Sequence, residues 1–183
     1  MFMVALTKQD IRRAHTAARK QLDPDEKQAK DAAITQAVAA QAQGLKVSAY
    51  FPLASEPGGP DFIEALHAVA AEVWLPHSGK SGILTWSLYT GPDSMQPGAL
   101  GIPEPTGVQH DSSILAELDV LFVPALAIDG SGMRLGKGAG YYDRALGSLA
   151  SRPRVIAVVY AVEVIDFVPH DELDQPVDSV ITD

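Results

Sequence analysis

Two uninterrupted apolar runs, DVLFVP at 119–124 and RVIAVVY at 154–160, constrain the fold of this chain more than any other feature. A strand with one face in water alternates apolar and polar residues, whereas an unbroken run belongs to a strand covered on both faces, as in a parallel sheet. Between them lie a glycine-rich turn and a segment, 141–150, in which Tyr142, Ala145, Leu146 and Leu149 share one helical face. Strand, turn, helix, strand is a βαβ unit, whose strands lie parallel with a right-handed crossover.

The rest of the chain repeats the alternation. Thr7 to Leu22 reads as a helix with Thr7 as its cap, and Asp23 and Pro24 open a second one that runs to about Ala42 before Gly44. Residues 46–51, 72–76 and 83–89 read as strands, and 60–71 as a helix. The stretch from Gly91 to Gly107 holds four prolines and four glycines and reads as a long loop. These elements predict a three-layer α/β/α fold, a Rossmann-like open sheet with mostly parallel strands, in a single domain over residues 1–183.

Composition removes several functions. A net charge of −9 argues against general nucleic-acid binding, which needs clustered Lys and Arg. With no cysteine, there are neither disulfides nor thiolate metal sites, and a cytoplasmic location is expected. The opening MFMVAL has too short an apolar stretch, and no basic flank, for a signal peptide or a membrane span. The five histidines, at 15, 67, 77, 110 and 170, lack metal-ligand spacing and read as surface or core residues.

The turn in the βαβ unit, RLGKGAGYYDRAL at 134–146, therefore stands out in an acidic protein. In open α/β sheets ligands bind beyond the carboxyl ends of the strands, where this turn falls. Its glycines let backbone N–H groups approach an anion, the following helix start adds unpaired amides, and Arg134 and Lys137 bring positive charge. Phosphate is the expected ligand. The spacing matches neither a Walker A loop nor GxGxxG, so an ordinary glycine turn with incidental surface cations is the competing reading. Asp143, just after it, is either an acid complementing a helix start or a carboxylate for Mg²⁺ beside polyphosphate. On the first helix Lys8, Arg12 and Arg19 lie within about 40° of one another, a basic stripe that is either solvated or faces a ligand.

DVLFVPALAIDGSGMRLGKGAGYYDRAL, at 119–146, resembles the signature of the 5-formyltetrahydrofolate cyclo-ligase family, also called 5,10-methenyltetrahydrofolate synthetases. KQDIR at 8–12, AYFPLASE at 49–56, GIPEP at 101–105 and the ending VPHDELDQPVDSVITD are similar to further family blocks, in the same order along the chain. The resemblance implies an ATP- and Mg²⁺-dependent ring closure of 5-formyltetrahydrofolate to 5,10-methenyltetrahydrofolate, with ADP and phosphate released. It implies a nucleotide loop of Arg134, Leu135, Gly136, Lys137, Gly138, Ala139, Gly140, Tyr141 and Tyr142, of which Lys137, Gly138, Ala139, Gly140 and Tyr141 also border the folate. It adds Lys8, Gln9, Asp10, Ile11 and Arg12 as ATP contacts, Phe51 and Glu56 as substrate contacts, and Asp143 and Asp174 as Mg²⁺ ligands. Read without the family, Asp174 is a turn acid, Glu56 a loop acid and Phe51 a core residue. ATP and a reduced folate are thus the expected partners of a protein expected to be monomeric.

Three departures from the family pattern bear on substrate detail. Ala139 stands where relatives carry Gly or Lys, Pro57-Gly58-Gly59 replaces an acidic segment after Glu56, and Glu163 falls where relatives commonly have Gln. A carboxylate at 163 close to an anion site is unfavourable unless it points away or meets a cation. Two other functions fit the same residues: a related ATP-dependent enzyme acting on another N-formyl or amide substrate, and a non-catalytic folate or nucleotide binder.

Overall fold

In the computed structural model, which describes residues 6–183, the two apolar runs are central strands with both faces covered. The chain runs α1 (Lys8–Gln21), α2 (Pro24–Ala42), β1 (Lys46–Ser48), α3 (Phe62–Val69), β2 (Glu72–Ser78), β3 (Leu84–Leu88), β4 (Met95–Pro97) and β5 (Pro103–Pro105). It continues through β6 (Val120–Pro124), β7 (Ala127–Asp129), β8 (Arg134–Leu135), α4 (Tyr141–Gly147), β9 (Arg154–Val158), β10 (Val164–Ile165) and β11 (Ser179–Ile181). The apolar opening segment, apart from Leu6, lies outside the described residues.

Six strands form the main sheet in the order β11-β9-β6-β1-β2-β3, parallel throughout except for β3, which runs antiparallel to β2. Side chains of β6 and β9 alternate between its faces: Phe122, Ile156 and Val158 pack with Ile34 and Val38 of α2 and Phe62 and Leu66 of α3. Leu121, Val123, Val155 and Ala157 pack on the other face with Ala145 and Leu146 of α4 and with Trp86 and Leu115. This double burial is why neither run tolerates a polar residue between its ends. A second small sheet, β10-β7-β8, carries a separate cluster of Ile11, Ala127, Leu135 and Val168, and so docks α1 beside the main sheet rather than on it.

Local signals set the helix starts. Thr7 and Asp10 form a reciprocal capping box on α1, and the Asp23 side chain accepts the Asp25 and Glu26 N–H groups of α2. Several expected boundaries shift. The strand expected over 46–51 pairs only through Ser48, and the helix expected to reach residue 150 ends at Gly147. The helix expected over 60–71 is Phe62–Val69, and β2 runs two residues past 76.

The 91–107 stretch is not a loop throughout: β4 and β5 form an antiparallel hairpin there. The pairs Ser94–Thr106 and Gly98–Ile102 hydrogen-bond across it. Antiparallel pairs alternate between bonded and non-bonded, so Pro97, Pro103 and Pro105 fall at positions where no N–H is required. Prolines that look like strand breakers in the sequence are therefore compatible with this ladder.

Candidate functional site

The strand order reverses direction at β1: β2 follows on one side of it, β6 and β9 on the other. A crevice opens beyond the carboxyl ends of strands at such a switch point. Here the chain leaving β1 contributes Tyr50, Phe51 and Glu56, and the chain leaving β6 contributes Ala125 and Leu126, to the wall of one cavity of about 890 Å³. That volume suits a ligand of nucleotide size or larger. The glycine turn forms a further wall, α1 a side, the 171–175 turn another, and Leu100 and Ile102 of the β4–β5 hairpin reach it from above.

Arg134 sits at the root of the glycine turn, its side chain 3% exposed. It donates from Nη1 to the Pro124 carbonyl at 3.2 Å and from Nη2 to Asp143 Oδ1 at 3.4 Å, and its guanidinium lies 5.5 Å from the centre of the Tyr142 ring. Its Nε is buried with no hydrogen-bond partner among the described residues. An unmet donor on a buried cation costs on the order of 1–3 kcal/mol or more, a cost that an anionic ligand would remove. Burial draws the Arg134 pKa down, with Asp143 opposing. Burial likewise pushes the Tyr142 phenol up, so its hydroxyl stays protonated.

The turn itself is held from two sides. Arg12 donates from Nε to the Gly136 carbonyl at 2.9 Å, and Arg144 donates from Nη1 to Ala139 O at 2.8 Å and Gly82 O at 2.9 Å. Gly138 has φ +110°, a backbone conformation that residues with a side chain rarely adopt, although a Cβ there would make only ordinary contact, 3.4 Å, with the Arg12 guanidinium carbon. Lys137 crosses the cavity to Glu56, Nζ to Oε1 at 2.7 Å, while Glu56 Oε2 accepts the Leu53 N–H at 2.8 Å. Tyr141 donates to Gly79 O at 3.0 Å. Because α4 is only seven residues long, positive charge here comes from the arginine and lysine side chains more than from a helix dipole.

The carboxylates Asp143 and Asp174 line the same cavity. Asp143 Oδ1 accepts the Gln175 N–H at 3.0 Å, which brings Asp143 beside the 171–175 turn. Asp174 Oδ2 accepts from Lys8 Nζ at 2.5 Å and from the Asp171 N–H at 2.8 Å. Burial pushes the Asp174 carboxyl up, but the bonds from Lys8 and Asp171 outweigh it and hold the group below its ordinary value. Lys8 is raised for the matching reason, Asp174 and Asp171 together overcoming its desolvation. Among the described residues, no three His, Cys, Asp or Glu side chains cluster as a metal site.

Fifteen of the residues expected at the site share the cavity wall: Lys8, Arg12, Phe51, Glu56, the run from Arg134 through Asp143, and Asp174. Gln9, Asp10 and Ile11 do not. Asp10 is committed to the Thr7 cap and to Arg13, Ile11 packs into the α1 cluster, and Gln9 is exposed. One turn of helix presents only the 8 and 12 positions to one side, so contiguous residues cannot all reach it. The basic stripe is no solvated face: Lys8, Arg12 and Arg19 all line the cavity. Arg19 is buried against Glu163, donating at 2.6 and 2.8 Å, so the carboxylate at 163 meets a cation. Absent from the sequence expectation are Arg144, the hairpin residues Leu100 and Ile102, and the chain after β6. Only Arg144 carried a usable signal, as a third cation within reach of the glycine turn.

A three-layer α/β fold with a cavity at its switch point, walled by a cationic glycine turn and by carboxylates, has the architecture of an α/β enzyme. The chain belongs to the 5-formyltetrahydrofolate cyclo-ligase family, whose model matches residues 4–183, and it is accordingly a ligase. It is 39% identical over 149 residues to the 5-formyltetrahydrofolate cyclo-ligase of Mycolicibacterium smegmatis, an alignment covering 76% of each chain. It is 32% identical over 123 residues to that of Escherichia coli, covering 66% of this chain and 68% of the relative. The NMR structure of 5,10-methenyltetrahydrofolate synthetase from Aquifex aeolicus superposes with a TM-score of 0.80 at 26% identity, covering 97% of this chain and 90% of that one. The enzyme of the same name from Mycoplasma pneumoniae, at 21% identity and a TM-score of 0.75 over 96% and 98% of the two chains, shares the fold. Among the described residues no helix is long and apolar enough to cross a membrane.

Proposed function

We propose that the protein closes 5-formyltetrahydrofolate to 5,10-methenyltetrahydrofolate at the expense of ATP, releasing ADP and phosphate. The formyl oxygen attacks the γ-phosphorus and ADP leaves. N10 then attacks the activated carbon and loses its proton, and the C–O bond breaks to release phosphate. A formamide oxygen is a poor leaving group until phosphorylated, which is the chemical reason for consuming ATP. The protein's share is positioning and charge stabilisation rather than a covalent nucleophile.

The observation that carries this reading is Arg134, a buried guanidinium with an unmet Nε–H on the cavity wall. With Arg12, whose Nε alone is committed to Gly136, it would hold the phosphates, and Lys137 would follow the transferred group. Glu56 and Phe51 would face the pterin, a carboxylate accepting from its amino-pyrimidine edge and a ring packing on its face.

Asp143 and Asp174 fit Mg²⁺. They are hard oxygen donors on one wall, Asp143 Oδ2 carries no hydrogen bond among the described residues, and Mg²⁺ needs only one or two carboxylates when phosphate and water complete its shell. When bound there the ion would neutralise phosphate charge. Asp143 would also keep Arg134 oriented, and Lys8 would hold Asp174 ionised and in place.

Formation of the methenyl product, followed by its absorbance with and without ATP while ADP is measured, tests the proposal. Folded protein that binds the folate yet forms no product would point to the non-catalytic reading, and ADP release only with another N-formyl compound to a different substrate.

A further inference from the structure

Glu56 is fixed by more than its own contacts. The turn that follows it, Pro57-Gly58-Gly59, is buried through Gly58; Tyr50 of the cavity wall donates to the Pro57 carbonyl at 2.6 Å, while the Gly58 N–H and carbonyl are met by side chains that do not line the cavity. Lys27, Asp31 and Thr35, spaced four apart, form one ridge of α2 against this turn. Lys27 donates to the Glu56 carbonyl at 3.3 Å and to Asp31 Oδ2 at 2.5 Å. Asp31 Oδ1 accepts the Gly58 N–H at 3.0 Å and the Tyr160 hydroxyl at 2.8 Å, and Thr35 donates to the Gly58 carbonyl at 2.8 Å. Gly58, at φ +119°, lies so close to Phe62 that a Cβ would stand 2.6 Å from its ring, so only glycine lets the turn fold down onto the ridge.

We infer that Asp31, with Lys27 and Thr35, is a positioning residue for folate recognition: the α2 ridge clamps the turn and thereby aims the Glu56 carboxylate into the cavity. The inference rests on the reading of Glu56 as a folate contact. A carboxylate on a buried turn could point in several directions. The bond from Leu53 fixes Oε2, and the ridge holds the backbone on the Glu56 side of that bond, at the Glu56 carbonyl and at Gly58. Tyr160 suits the role of third anchor because burial, reinforced by Asp31, pushes its hydroxyl well above the ordinary tyrosine range and keeps it a donor. No ridge residue lines the cavity, so the device reaches the bound ligands only through Glu56, whose Oε1 also pairs with Lys137.

Steady-state kinetics on Thr35→Val, Thr35→Ser, Asp31→Asn and Glu56→Gln, with KM for 5-formyltetrahydrofolate and for ATP measured separately, test it. Thr35→Val and Asp31→Asn are expected to raise the folate KM at least fivefold and leave the ATP KM within twofold, while Thr35→Ser keeps both. Unchanged folate KM in Thr35→Val, or folate and ATP KM rising together, overturns the inference. Should Asp31→Asn fail to fold, the half-buried Thr35 pair decides alone. A raised folate KM in Glu56→Gln with none in the ridge variants overturns positioning but leaves Glu56 as a contact. An unchanged folate KM in Glu56→Gln removes that contact and the inference with it.

Discussion

Arg19 of α1 and Glu163, 144 residues later, make a two-point ion pair at 2.6 and 2.8 Å in which the side chains are 4% and 3% exposed. Arg19 also donates to the Ala125 carbonyl at 2.6 Å, and Glu163 Oε2 accepts the Tyr160 N–H at 2.9 Å. The pair thus ties α1 and the chain leaving β6, both of which line the cavity, to the chain leaving β9 behind them. Replacing either partner leaves a buried charge unmet, which costs about 3–5 kcal/mol. Glu163→Ala is expected to lower the urea midpoint accordingly, whereas Glu163→Gln, which can still accept from Arg19, is expected to lose less. Equal midpoints for Glu163→Ala and the parent would contradict this.

Arg134→Lys keeps a positive charge but loses the fork and the Nε donor. If this guanidinium meets the phosphates, the substitution should reduce kcat/KM for ATP by about 10²–10³, the usual loss for a preorganised charge-stabilising donor. Circular dichroism would confirm that the fold survives, and a loss under threefold would remove Arg134 from the nucleotide site.

Asp143→Asn should abolish Mg²⁺-dependent turnover, since a neutral amide is a poor ligand for a hard cation. Titrating Mg²⁺ at fixed ATP reads this directly. Turnover that saturates at the parent's Mg²⁺ concentration would place the ion elsewhere.

The Lys8–Asp174 pair predicts a pH signature. Asp174 is lowered from 3.8, so its contribution to stability is present above that pH and is lost as the pH falls through the lower folded value. Lys8 is raised from 10.5, so its contribution is complete below that pH and fades as pH climbs through the higher folded value. Between the two the pair adds nothing to the pH slope. Asp174→Asn should flatten the acid limb of a stability–pH profile below about pH 4 while leaving the neutral region parallel to the parent. An unchanged acid limb would show that other carboxylates dominate it.

Much of the fold was legible from residues 119 to 160. An apolar run without polar interruption reports burial on both faces, and Thr7, Asp23 and Gly44 mark helix ends through bonds or backbone angles that lie within a few residues. The glycine turn could be picked out as a candidate for the same reason, its signal being contained in ten consecutive residues, all of which line the cavity. The prolines at 97, 103 and 105 misled, because whether a missing N–H matters depends on the partner strand's register.

Local sequence, then, determined which segments become strands and helices and where a flexible, cationic turn must fall, since period, caps and backbone freedom act over a single turn or strand. The tertiary structure alone decided that β3 runs antiparallel, that Lys8 meets Asp174 and that Arg19 neutralises Glu163. It also decided that the α2 ridge sits under Glu56. The two ion pairs join residues 166 and 144 positions apart, the ridge contact residues 27 apart, and no local preference encodes them. They exist because burying both faces of the main sheet sets the strand order, and burying Ile11 on the small sheet docks α1, which together bring the charged groups into contact.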